Sequence, residues 1–103
     1  MDRIEKLKEF LAANPNDSFV QHALALEYIK LGKDDDAKIL FESILKDSRD
    51  YIGSYYHLAK LLERTGEKEH AIACYEEGMQ QAKLANDQHA YNELQAAYED
   101  LVY

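Results

Sequence analysis

The stretch Leu31–Leu45, "LGKDDDAKILFESIL", returns further along the chain as Thr65–Met79, "TGEKEHAIACYEEGM". The polar residues differ, because Asp34, Asp35 and Asp36 become Lys68, Glu69 and His70. The apolar skeleton does not. Leu24/Leu58, Gly32/Gly66, Ala37/Ala71 and Phe41/Tyr75 match at the same interval, and Tyr28/Leu62 and Leu45/Met79 keep apolar character. Leu7, Phe10, Leu11 and Pro15 stand one interval before Phe41, Ile44, Leu45 and Arg49, so the N-terminal stretch fits the same frame. A fixed period of about 34 residues marks a repeated supersecondary unit, and the side chains that persist in it are those that packing requires.

Within each unit the rhythm is helical. Leu24, Tyr28 and Leu31 recur every three to four residues, as do Ala37, Phe41, Ile44 and Leu45. Gly32 and Gly66 follow the apolar runs where a left-handed C-terminal cap needs no Cβ. Asp17 or Ser18 suits the N-cap of the helix that begins there. Ala37 and Ala71 are small where two helices must come close. The spacing predicts six helices, at about 2–13, 18–31, 34–47, 51–65, 68–85 and 88–101, joined by short turns. Asp34–Asp36 then sit in a first helical turn, where carboxylates meet the positive end of the macrodipole. A calcium loop would instead spread its ligands over about twelve residues around a central glycine.

Composition narrows the function classes. A chain of 103 residues holds one domain with a modest core. Four glycines and one proline are too few for a turn-rich sandwich or barrel. The net charge of −8 argues against nucleic acid, which needs clustered Lys and Arg. From Leu84 to Tyr103 there are four acids and no Lys or Arg. Cys74 is the lone cysteine, which excludes an internal disulfide framework and suits a reducing compartment. The opening "MDRIEKLKEFLAANP" is mixed in charge and has no long apolar run, so neither a signal peptide nor a membrane span is expected. A cytoplasmic location is the expectation.

A helix–turn–helix unit of this period, with Leu24, Ala25, Tyr28, Gly32, Ala37 and Phe41 at set intervals, resembles the tetratricopeptide repeat. The second unit matches with Tyr55, Leu58, Ala59, Gly66, Ala71, Tyr75 and Gly78, while Ile44 replaces the small residue that Gly78 represents. The family's closing proline is present only as Pro15, with Arg49 and Lys83 in its later places, which predicts looser turns there. About two extra residues precede Tyr91, Leu94 and Tyr98, where the first-helix pattern resumes. The resemblance implies a single all-α domain over 1–103, a right-handed solenoid of helical hairpins with about six helices. Its parts are a leading half repeat (1–17), repeats at 18–51 and 52–85, and a C-terminal helix (86–103).

The resemblance also implies a mode of action, an adaptor whose first helices line a concave groove for a peptide or partner domain. The family's groove positions fall on Phe19, His22, Leu26, Ile29 and Lys30, and then on Gly53, Tyr56, Lys60, Glu63 and Arg64. In the last helix they fall on His89, Asn92, Ala96 and Glu99. The bland alternative for Phe19, Leu26 and Ile29 is packing against the leading helix. One well-known subclass grips a peptide's terminal carboxylate with Lys, Asn and Arg. The corresponding places here hold His22, Leu26, His57, His89 and Glu93, from which no such clamp can be assembled.

Other chemistry is poorly supported. His22, His57, His70 and His89 lack the tight local spacing of zinc ligands, so no metal is expected. Cys74 lies mid-helix without a nucleophile turn, and Glu76 and Glu77 point in two directions around a helix, so neither catalysis nor a cofactor is expected. Tyr28, Tyr55, Tyr75 and Tyr91 fall at core positions, whereas Tyr51, Tyr56 and Tyr103 have no structural duty and suit a binding surface. Against the interaction module stands a second class, a self-associating assembly protein. Leu94, Tyr98 and Leu101 form a stripe at helical spacing near the C-terminus, part of which must pack on the preceding helix. Any remainder would pair with another copy as a homodimer, rimmed by Glu93, Glu99 and Asp100.

Overall fold

The computed structural model describes residues 2–103, which form six helices and no strand. They are α1 (Arg3–Ala13), α2 (Ser18–Lys30), α3 (Asp34–Asp47), α4 (Gly53–Arg64), α5 (Lys68–Leu84) and α6 (Gln88–Val102). Only the start of α4 departs from the predicted spans by more than a single position. There Ser54 and Tyr55 donate to the carbonyls of Tyr51 and Ile52, a three-residue spacing that closes a turn before the α-helix begins. The fold is an all-α helical repeat.

The turns explain the punctuation. Gly32 and Gly66 have φ of +74° and +81°, where a side chain would be strained. In each turn the next residue's N–H reaches back over the last helical turn, Lys33 to the Tyr28 carbonyl and Glu67 to the Leu62 carbonyl, both at 2.9 Å. A third turn repeats the geometry without glycine. Asn86 takes φ of +56° and Asp87 N–H reaches the Ala82 carbonyl at 2.9 Å. Asn tolerates the left-handed region better than other residues with a Cβ, so α5 ends with the same motif, three residues beyond the position equivalent to the end of α3. Asp17, not Ser18, caps α2 by accepting the Val20 N–H at 3.0 Å, while the Ser18 hydroxyl faces that of Ser48. Asp34–Asp36 open α3 as expected.

The chain divides into two compact units, Met1–Ser48 and Arg49–Tyr103. In the first, α2 packs against α1 and α3; in the second, α5 packs against α4 and α6. The first core contains Val20, Leu24, Ala25, Ala37, Phe41 and Ile44. The second contains Tyr55, Leu58, Ala59, Ala71, Tyr75, Ala82, Leu94 and Ala97. Ala37 and Ala71 are wholly buried, as close helix approach requires.

One hydrogen bond recurs with the repeat. Gln21 Nε2 donates to the Pro15 carbonyl at 3.0 Å, and Tyr55, its counterpart in the second unit, donates its hydroxyl to the Arg49 carbonyl at 2.6 Å. Each ties the start of an even-numbered helix to the loop before it. Tyr28 and Tyr91 depart from expectation, being half-buried rather than core. Each keeps one face under a lysine, with Lys8 Nζ 5.9 Å and Lys83 Nζ 5.4 Å from the ring centroid. Those rings cover a flexible charged stem as well as the core.

Candidate functional site

In the first unit, the predicted groove residues occupy one side of α2. Phe19 is 74% exposed, which rules out the alternative that it packs on the leading helix. Leu26 and Ile29 are half-buried, and His22 places its ring edge-on to Phe41 with centroids 5.6 Å apart. Phe19, His22, Ala23 and Leu26 line an open cavity of about 450 Å³, bordered by Arg3, Glu27 and Lys30. Glu27 holds both cations, Arg3 at 2.7 Å and Lys30 at 3.6 Å, so that border is internally compensated. Ile29 does not line the cavity.

In the second unit, Tyr56 and His57 from α4 meet residues of α6. The two rings pack edge-on at 5.6 Å, and Lys60 Nζ lies 5.8 Å from the Tyr56 centroid. Lys60 also sits 3.7 Å from Glu63, whose carboxylate accepts the hydroxyl of the core residue Tyr75. Glu63 thus ties α4 to α5 through Tyr75 as well as pairing with Lys60. Arg64 is exposed at the end of α4. His57 is held below histidine's ordinary value, first by burial and then by the Arg64 charge.

On α6, His89 lies 2.5 Å from Glu93, and Asn92 accepts from Gln88 at 2.8 Å. Asp87 caps α6 by accepting the Ala90 N–H at 3.0 Å. Tyr56 and His57 face Asp87 and Glu93 across a cavity of about 220 Å³, completed by Ile52, Gly53, Ala90 and Leu94. Asp87 and Ile52 were not among the predicted groove residues. Their signal is local chemistry, an Asp at an N-cap and an apolar residue just before a helix, and a groove pattern read by repeat position passes over both.

The apolar stripe on α6 is corrected in part. Leu94 is only 2% exposed and belongs to the core, where a Cβ built on Gly78 would come within 3.2 Å of its Cδ1. Tyr98 and Leu101 remain half-buried, with the Tyr98 hydroxyl 3.4 Å from Glu76. Cys74 donates its thiol to the Tyr55 carbonyl at 3.4 Å, and burial pushes the thiol up to about 12. Such a thiol is a poor nucleophile. Among the described residues no three His, Cys, Asp or Glu side chains gather as metal ligands, and no helix is long and apolar enough to cross a membrane.

Comparison with known proteins agrees with this geometry. Residues 52–83 match the family model described as tetratricopeptide repeat. A tetratricopeptide repeat domain protein from Salinibacter ruber, solved in solution, is 38% identical, with 85% of this chain and 89% of that one covered and a TM-score of 0.81. The chain belongs to the tetratricopeptide repeat family. A crystal structure of a tetratricopeptide repeat domain protein from Salinibacter ruber gives a TM-score of 0.80 at 38% identity, over 82% of this chain and 94% of that one. A protein from Bordetella parapertussis, also solved in solution, shares the fold, with a TM-score of 0.84 at 24% identity over 98% and 88% of the two chains. No curated protein matches the chain in sequence. Tetratricopeptide repeat domains generally serve as protein–protein interaction modules and as non-catalytic scaffolds.

Proposed function

We propose that this chain is a cytoplasmic, non-catalytic adaptor that receives a peptide or partner domain on the exposed sides of its even-numbered helices. The observation that carries this is Phe19. A large apolar ring 74% exposed above a cavity lined by His22, Ala23 and Leu26 has no packing role within its unit. Hydrophobic side chains held in this way, with polar residues around them, mark interaction sites. The second unit supports the reading with Tyr56, a large and rigid ring at a cavity wall.

Photo-crosslinking tests it. A benzoylphenylalanine at position 19 or 56 should trap protein adducts in a lysate of the native source, whereas one at the exposed Ile39 of α3 should not. Equal adducts from all three positions would sink the assignment of the face. Tyr56→Ala should lie within about 0.5 kcal/mol of wild type, as surface changes do. Leu58→Ala, in the core, should cost about 2–5 kcal/mol.

A second reading rests on Tyr98 and Leu101, which keep an apolar remnant at the surface of α6. Through it two copies would associate as a homodimer.

A further inference from the structure

Resting on the adaptor reading above, we infer that the cavity between α4 and α6 takes an arginine side chain from a basic segment of the partner. The Tyr56 ring forms one wall and Leu94, almost wholly buried, forms the floor. Gly53 stands at the repeat position that Phe19 holds in the first unit, so no side chain rises from it. Asp87 and Glu93 supply two carboxylates, and no Lys or Arg lines the cavity. His57 adds little positive charge near neutral pH, because burial and Arg64 favour its neutral form.

The net charge of the second unit points the same way, and its fixed cations Lys60, 5.8 Å from the Tyr56 centroid, and Arg64, which acts on His57, stand outside the cavity lining. Residues 49–103 hold ten acids against five Lys and Arg, and beyond Leu84 there is no Lys or Arg at all. The exposed His89 sits beside Glu93 and the Ala90 N–H on Asp87, and neither is a permanent cation. A partner's carboxylate would meet two others here with no fixed positive charge lining the cavity. A guanidinium would meet two acceptors and an aromatic wall. Its planar fork matches carboxylates, and it stacks on rings better than the compact ammonium of lysine. The first-unit cavity differs, because there Glu27 already holds Arg3 and Lys30.

The test compares three blocked peptides of sequence glycine-serine-X-leucine-serine, with X as arginine, lysine or the neutral isostere citrulline, titrated against the labelled chain by NMR. The arginine peptide should shift the amides of Tyr56, His57, Ala90 and Glu93, and citrulline should weaken its binding about tenfold or more. In the Asp87→Asn/Glu93→Gln variant that preference should disappear, while Asn still caps α6. Should that variant fail to fold, Gly53→Phe serves instead, placing at the cavity wall the ring that Phe19 carries at the equivalent position of the first unit, and it should weaken binding of the arginine peptide. Equal binding of arginine and citrulline, or no shift at millimolar peptide, overturns the inference. A displayed random-peptide library run in parallel separates it from the adaptor reading. Selected peptides that map to the α4–α6 face without basic residues leave an adaptor of different specificity. A library that yields no peptide on either face, together with no protein adduct at position 19 or 56, removes the adaptor reading itself.

Discussion

Gly78 and Tyr55 face each other where α5 crosses α4, and the first unit answers with Ile44 and Gln21 at the equivalent positions. A Cβ on Gly78 would lie 2.7 Å from Tyr55 Cβ and 3.0 Å from its Cγ, so the helices themselves would have to part. Gly78→Ala should therefore cost about 1–3 kcal/mol. Tyr55→Gln/Gly78→Ile would transplant the first unit's solution, with Gln keeping the bond to the Arg49 carbonyl as Gln21 keeps that to Pro15. The double variant should be more stable than the sum of its single changes implies, which a urea-denaturation double-mutant cycle measures. His57 gives a second residue-level expectation. Its native value is lowered, so the unfolded chain binds more protons once pH falls towards the ordinary 6.5. The stability this contributes is present above 6.5 and is lost as pH falls below it. Urea midpoints at pH of about 7.5 and about 5.5 should fall less steeply in His57→Gln than in wild type.

The helices themselves were legible because their ends carry chemistry as well as rhythm. Gly66 lies at φ of +81°, so Gly66→Ala should cost about 1–2 kcal/mol by thermal denaturation. Asn86, already strained at +56°, makes the converse case. Asn86→Gly should be neutral or stabilising by a few tenths of a kcal/mol, since relief of strain opposes the extra freedom of the unfolded chain. These outcomes rank the two caps, and a larger loss in Asn86→Gly than in Gly66→Ala would show that the Asn side chain, not the backbone, holds the turn. The same contrast explains what the sequence concealed. A glycine after an apolar run announces a left-handed cap, whereas "AND" announces one only to a reader who expects Asn there. Tyr28 and Tyr91 stand at the repeat positions of the buried Leu62 and Tyr55, yet each rests half in solvent under a lysine. Motif position fixes which face a side chain takes, while its depth depends on what covers that face. For the same reason the exposure of Phe19 was readable from its repeat position. The bond from Tyr75 to Glu63 was not readable in the same way, because the two residues lie on different helices.

Charge acts on the molecule as a whole, and the two modes of association respond to it in opposite ways. Twenty acids against twelve Lys and Arg leave −8, so copies of the chain repel one another at low ionic strength. The apolar surface that could overcome this is thin. Leu94 is withdrawn into the core, and Tyr98 and Leu101 show only part of their area beside Glu99 and Asp100. At micromolar concentration and about 50 mM salt the chain should therefore sediment as a monomer, since the repulsion is then little screened. Raising salt to about 1 M shortens the screening length to about 3 Å and removes most of the repulsion while leaving apolar burial intact. Any homodimer through α6 should then grow with salt, and Tyr98→Glu or Leu101→Glu should abolish it. Binding of an arginine-bearing segment to Asp87 and Glu93 should instead weaken with salt, chiefly through a slower association rate. Sedimentation of the chain alone at both salt concentrations separates the cases. A strictly monomeric wild type at the higher salt ends the self-association reading, and a mass that falls as salt rises would mean that the copies meet through opposite charges, not through the α6 stripe.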